Sequence, residues 1–177
     1  MNTPVESDTC VLRAPRPGDI GWIVHRHGVL YAEEYGWNER FEGLVAEVAS
    51  DFLLTHDTAN ERCWIAECDA RIAGSIFLMR GDGGFGKLRL LYVEPWTRGL
   101  GIGRLLVDTC ITAAKDAGYA GLTLWTTSVL HAARRLYEAA GFVLEAEEGF
   151  DTFGPRLVGQ TWRLVFRDGL PPVSHDV

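Results

Sequence analysis

Long apolar runs are absent from this chain of 177 residues. None approaches the roughly 20 residues that a membrane-spanning helix needs. The N-terminus lacks the basic segment and apolar core of a secretory signal. No membrane partner and a cytoplasmic location are therefore expected. Basic residues are in deficit, with 17 Lys and Arg against 24 Asp and Glu, for a net charge of −7. Clustered Lys and Arg are what hold a phosphate backbone, so nucleic acid is excluded as the main partner. The same balance is compatible with a cationic substrate. Only four cysteines occur, Cys10, Cys63, Cys68 and Cys110, and no pair has the two-residue spacing of a zinc or redox motif. Cys63 and Cys68 flank a probable turn, but no His or Cys partner lies nearby in sequence. No metal is expected, and the thiols read as free and buried in a reducing compartment. There is no internal repeat and no second core, so one domain accounts for the length.

What is present alternates between two periods. Residues 1–9 are polar and read as a loose N-terminus. Cys10 to Ala14 fits a short strand. Asp19 is placed to cap a helix with Ile20, Ile23, Val24, His27, Leu30 and Tyr31 on its apolar face. On that face His27 reads as a packed histidine. Gly36 interrupts this helix, and Asn38 is placed to cap a second one carrying Phe41, Leu44, Val45, Val48, Phe52 and Leu53. Residues 63–67 and 71–79 read as a hairpin, and Leu88 to Val93 as a further strand. A helix follows, stopped by Gly118, then a strand over 122–125. Ser128 is placed to cap a helix that Gly141 ends. Strands over 142–145 and 161–166 close the domain, with a polar loop at 147–159 between them and a Pro-containing tail at 167–177. The order β-α-α-β-β-β-α-β-α-β-β describes an α/β (α+β) domain, a mixed sheet covered by helices, over residues 10–166.

The most informative stretch is Leu91-Tyr92-Val93-Glu94-Pro95-Trp96-Thr97-Arg98-Gly99-Leu100-Gly101-Ile102-Gly103-Arg104. It reads as a strand, a glycine-rich turn and a helix start. Free amides and the positive dipole end of such a helix bind phosphate when no side chain blocks the approach. A P-loop ends in Gly-Lys-Ser/Thr, whereas Arg104-Leu105 follows Gly103 here. A dinucleotide fingerprint needs a glycine where Arg104 stands, and an acid about 20 residues on, where Leu122 to Thr126 has none. NAD is therefore not the expected ligand.

Arg98-Gly99-Leu100-Gly101-Ile102-Gly103 resembles the acyl-CoA pyrophosphate loop of the GCN5-related N-acetyltransferases (GNAT), Arg/Gln-x-x-Gly-x-Gly/Ala. Leu91 to Pro95 resembles the family's cofactor strand. Ala133-Arg134-Arg135-Leu136-Tyr137-Glu138-Ala139-Ala140-Gly141-Phe142 resembles its second cofactor motif. The likeness covers about residues 10–166 and extends in particular to the acetyltransferase half of proteins that carry a MarR-type regulator. It implies a single GNAT-like domain with a mostly antiparallel twisted sheet flanked by helices, and acetyl-CoA as cosubstrate. One departure is visible: where the family often has Asn, this chain has Leu130, followed by His131, which stands as the replacement cofactor contact.

Acyl transfer to an amine requires a neutral amine, stabilisation of a developing oxyanion, and a proton for the departing thiolate. The resemblance assigns the oxyanion to backbone amides near Leu91, Tyr92 and Val93, where strand splaying would free them. It assigns the proton to Tyr137, since a phenol of pKa about 10 can donate to a thiolate whose acid has pKa about 8.5. Glu94 is the acid nearest the chemistry in sequence and is a candidate base. Glu33 and Glu34, between the first two helices, are candidates to attract the amine. Trp37, Trp96, Trp125 and Phe150 are candidates to line its pocket. The implied function is acetyl transfer to a primary amine of a small molecule or peptide. A silent acyl-CoA sensor on the same fold is the alternative, and homodimerisation is expected by analogy alone.

Overall fold

A computed structural model describes residues 10–166; the expectations for 1–9 and 167–177 lie outside these residues. The elements are β1 (Cys10–Arg13), α1 (Asp19–Tyr35), α2 (Glu39–Thr55), β2 (Arg62–Cys68), β3 (Arg71–Arg80), β4 (Gly86–Val93), α3 (Ile102–Asp116), β5 (Gly121–Thr127), α4 (His131–Ala139), β6 (Val143–Phe150) and β7 (Leu157–Val165). The order is the one anticipated. A short 3-10 turn over Pro95–Thr97 between β4 and α3 was not. The strands form one sheet in the order β1-β2-β3-β4-β5-β7-β6. All pairings are antiparallel except β4 with β5.

Both faces of the sheet are covered, which is why β3 reads as a nearly continuous apolar run. Leu106, Val107 and Cys110 of α3 pack on Ile76, Leu78 and Leu122, joined by Tyr137 of α4. On the opposite face Ile20 and Ile23 of α1, with Val48 and Phe52 of α2, pack on Ile65, Phe77 and Tyr92. A third, aromatic cluster holds Trp37, Phe41, Val45, Phe153 and Leu157 together at the open end of the sheet.

Several local expectations are corrected. Asn38 does cap α2, accepting from the amide of Arg40 at 3.0 Å. Asp19, however, lies inside the first turn of α1, and Gly18 is the cap residue. The Asp19 carboxylate instead accepts from Arg13 and from the Arg16 amide, each at 2.6 Å. Ser128 caps nothing: its amide continues the β5–β7 ladder to the Val158 carbonyl, and Leu130 precedes the first turn of α4. The polar loop at 147–159 shrinks to residues 151–156, because β6 and β7 pair from Val143 to Phe150. β6 is an edge strand exposed along most of its length. Its Glu145, Glu147 and Glu148 suit such an edge, so it has no alternating apolar face to betray it. Finally, Cys10 and Cys68 are not free thiols. They face each other in the β1–β2 register and form a disulfide, while Cys63 and Cys110 remain free and buried.

Candidate functional site

The site begins with a defect in the sheet. β4 pairs with β5 only at Gly86↔Leu122 and Lys87↔Thr123; beyond these the two strands separate. At the same point the β3–β4 register shifts, between Ser75↔Tyr92 and Phe77↔Arg89. Leu90 takes a φ of 47°, a left-handed conformation costly for a branched residue. Its carbonyl is held by the Ser75 hydroxyl at 3.0 Å. The bulge turns β4 away from β5 and leaves residues 88–93 without a strand partner on the β5 side.

Into this opening points the N-terminus of α3. Gly99 and Gly101 have φ of 85° and 79°, and a Cβ at either would enter open space. These two glycines therefore serve the turn and keep its approach clear. Gly103 does something else: its Cβ would stand 2.8 Å from Leu136 Cδ1, so it lets α3 pack closely on α4. α3 has no side-chain cap, and the amides of Gly101, Ile102, Gly103 and Arg104 donate to no protein acceptor among the described residues. This cradle forms the floor of a cleft of about 700 Å³, with Leu91, Tyr92, Val93, Arg98 and Arg104 along its sides. Arg98 crosses its mouth and donates to Glu34 at 2.5 Å. A diphosphate with an extended arm fits this cleft: unpaired amides and arginines for the charge, open strand edge for the arm.

A second cavity of about 630 Å³ lies on the other side of the sheet opening and shares Tyr31, Leu91, Leu130 and Ala133 with the first. Its walls include Trp37, Phe41, Trp125, Phe150 and Phe153, and Tyr137 lines it from α4. The Tyr137 side chain is 5% exposed. Its phenol makes no protein hydrogen bond among the described residues, and burial, then the neighbouring Tyr31 and Cys110, push it well above its ordinary value. His27 is buried in the same wall, with Nδ1 2.8 Å from the Ile23 carbonyl. A carbonyl only accepts, so Nδ1 carries the proton of the neutral ring. Burial lowers this imidazole to about 4.

Of the site residues expected from sequence, Leu91, Tyr92, Val93, Arg98, Gly99, Gly101, Ile102, Gly103 and Arg104 converge on the first cleft. Leu100 does not; it is exposed and points away. His131 is exposed and lines neither cavity; Leu130, Ala132 and Arg135 line the first cleft from that turn instead. Glu94 is corrected more sharply. It is buried and takes two bonds from Arg26, at 2.6 and 2.9 Å, and one from the Tyr92 hydroxyl at 3.2 Å. It lies behind β4, beside Trp22 and Trp96, and lines neither cavity of the site. Glu34 belongs to the mouth of the first cleft rather than to the second cavity, and Glu33 lines neither. Trp37, Trp125 and Phe150 line the second cavity as expected, but Trp96 packs under Arg71, 4.1 Å from the ring centre. Arg135, Arg89 and Thr127 were missed. Arg135 lies inside the second motif without an assigned role, and the other two carry no local signal. Among the described residues no group of three or more His, Cys, Asp or Glu is placed to hold a metal ion.

A splayed parallel strand pair, a capless helix aimed into the gap and a cavity on each side of it agree with the fold that the motif resemblance implied. Comparison with known proteins agrees. Residues 28–142 match the acetyltransferase (GNAT) family, and the chain belongs to that family. N-acetyltransferase 8F1 of Rattus norvegicus is 28% identical over 134 residues, covering 73% of this chain and 57% of that protein. A Bacillus anthracis protein solved in complex with acetyl coenzyme A is 27% identical, with a TM-score of 0.55 over 60% of this chain and 63% of that one. A Salmonella typhimurium protein solved with its cofactor acetyl-CoA shares the fold, with a TM-score of 0.70 at 21% identity over 93% of this chain and 98% of that one. The chain spans about half the length of most of the curated relatives it matches.

Proposed function

We propose that this chain transfers an acetyl group from acetyl-CoA directly to a primary amine of a small molecule or peptide. The observation that carries the reading is the pair of cavities meeting at Leu91 and Leu130, one with the unpaired amides of α3, the other with Tyr137. Bound acetyl-CoA supplies an activated acetyl thioester. The amides of Gly101 to Arg104, with Arg98, Arg104 and Arg135, hold its diphosphate. The unpaired edge of β4 at Leu91 to Val93 positions the acyl arm and offers N–H groups where negative charge develops. The neutral amine attacks from the second cavity, so that a C–N bond forms as the C–S bond breaks. Tyr137 gives its phenolic proton to the departing sulfur and regains one from the amine through solvent. Glu94 has no part in this scheme, since it is paired with Arg26, bonded to Tyr92 and lines neither cavity, and water serves as the relay from the amine.

The test is release of free thiol from acetyl-CoA with a panel of amines, alongside calorimetric titration of acetyl-CoA itself. Binding without turnover on any amine would favour the sensor reading; absence of binding would sink both. The likeness to the acetyltransferase half of MarR-type fusion proteins rests on the motifs alone and stays part of this reading, to be tested by superposing the structure of such a half. A cytoplasmic location and a homodimer are likewise proposed. Alkylation of cell extracts would report whether Cys10 and Cys68 are bonded in the cell, and sedimentation velocity would report the assembly.

A further inference from the structure

The second cavity has a polarity that the sequence did not announce. Two buried side-chain atoms on its wall have no hydrogen-bond partner: Nε1 of Trp37 and Oγ1 of Thr127. Trp37 is 4% exposed and Thr127 0%. An indole N–H can only donate, and a buried donor left unpaired is costly. The same cavity is also lined by Arg89, half-buried on β4, which borders a neighbouring groove with Glu47 and Asp51 as well. Its guanidinium makes no hydrogen bond, ion pair or ring contact among the described residues. Glu47 and Asp51 on α2 lie near enough to be felt, but burial outweighs them and lowers the arginine below its ordinary value. Among the described residues every other arginine of comparable burial is engaged: Arg13 with Asp19 and Glu67, Arg26 with Glu94, Arg134 with the Ser128 carbonyl, Arg163 with Glu145. The carboxylates that line this cavity, Glu47 and Glu148, are solvent-exposed. The cavity thus holds two buried polar atoms without partners within an aromatic shell, and Arg40 and Arg89 border it.

We infer that the acceptor is an aminocarboxylate with an apolar or aromatic body, whose carboxylate is held by Arg89, while Trp37 Nε1 and Thr127 Oγ1 offer hydrogen bonds elsewhere along the same cavity. A planar guanidinium matches a carboxylate with two parallel bonds. Trp37, Phe41 and Phe153 enclose the body of the ligand, with Trp125 and Phe150 in tilted and edge contacts beside them in the same wall. This reverses the expectation of a cation-seeking pocket built on Glu33 and Glu34. The inference rests on the acetyltransferase reading, because it assigns this cavity to the acceptor.

The experiment compares matched amines: L-phenylalanine and L-tryptophan against phenethylamine, tryptamine and the two amino amides. Thiol release is measured with wild type, Arg89→Gln, Arg89→Lys and Trp37→Phe. Wild type is expected to favour the amino acids by at least about 30-fold in kcat/KM, since a site built for a polar group rejects the analogue lacking it. Arg89→Gln should erase that preference by raising KM for the amino acids while leaving the decarboxylated amines within about twofold. Arg89→Lys should restore part of it, and Trp37→Phe, which alters the wall around the ligand body, should cost about threefold to tenfold on all the amines and leave the preference for the amino acids in place. Equal or better use of the decarboxylated amines by wild type overturns the inference, as does an Arg89→Gln loss spread equally over all amines. Should no panel amine turn over, calorimetric binding of N-acetyl-L-phenylalanine against N-acetylphenethylamine, with CoA present, decides it. No preference for the carboxylate then overturns it. Acetyl-CoA titrated into the same protein separates the two claims: acetyl-CoA binding with no carboxylate preference defeats this inference alone, whereas failure to bind acetyl-CoA defeats the proposed function.

Discussion

Replacing Tyr137 by Phe separates chemistry from packing at this site. The ring of Tyr137 belongs to the core, 5.8 Å from Phe142, and the phenylalanine ring refills that space. The hydroxyl has no protein partner to lose, so the stability change should stay within about 1 kcal/mol. Burial keeps the phenol protonated throughout the working pH range, so the acid form is always available and Tyr137 itself adds no alkaline limb to the rate profile. Removing a general acid costs about 10²–10⁴-fold. The leaving thiol, with a pKa of about 8.5, needs less help than an alkoxide, so the low end applies. A fall in kcat of about 100-fold, or about 2.7 kcal/mol of barrier, is therefore expected. Tyr137 does not line the first cleft, so KM for acetyl-CoA should hold within about twofold. Steady-state thiol release gives both constants, and a urea melt checks the fold. A kcat within twofold of wild type on a stable variant would refute the assignment and return Tyr137 to the core. A fall in kcat that tracks a loss of stability would mark it as packing alone.

Gly101→Glu should raise the dissociation constant for acetyl-CoA at least about 100-fold by calorimetry, because the new carboxylate enters the anion cradle; the left-handed φ of 79° adds only about 1–2 kcal/mol of strain, so the protein should remain folded. Glu94→Gln leaves the Arg26 guanidinium without its counter-charge and should lower stability by about 2–3 kcal/mol in urea. Turnover per folded molecule should stay within about threefold, and a larger loss with a changed pH profile would reinstate Glu94 as the base. His27 predicts an acid limb in stability: the unfolded ring protonates near 6.5, whereas burial holds the folded ring to about 4. Its depressed value means that stability is complete above about pH 6.5 and declines as pH falls towards 4, by about 3 kcal/mol at about 1.4 kcal/mol per pH unit. Chemical melts from pH 7 to pH 4 on wild type and His27→Gln should differ by this limb, and parallel curves would refute the neutral buried imidazole.

The glycine turn and the open helix start, proposed as the donor site, were legible because their signals are local. Gly99, Gly101 and the amides of α3 are neighbours in sequence, and a turn needing positive φ selects glycine wherever it occurs. The same holds for Asn38, whose capping bond spans two residues. Misplacements arose where an alternative local partner intervened. Asp19 was claimed by Arg13 and the Arg16 amide, and Ser128 by the β7 ladder. β6 was shortened because an edge strand open to solvent has no buried face to alternate.

By itself the sequence determined the order of elements, the anion cradle and the place of Tyr137 on the helix that follows it, all readable from periodicity and turn chemistry over a few residues. The tertiary structure alone decided which charges are spent and which are free. Glu94 and Arg89 are five residues apart on and just beyond one strand. The β4 bulge lies between them. Glu94 meets Arg26, 68 positions away, and is neutralised, whereas Arg89 emerges in a cavity near the exposed Glu47 without an ion pair among the described residues. Pairing energies depend on separations of a few ångströms and on the water excluded around them, and neither quantity exists until the chain has folded.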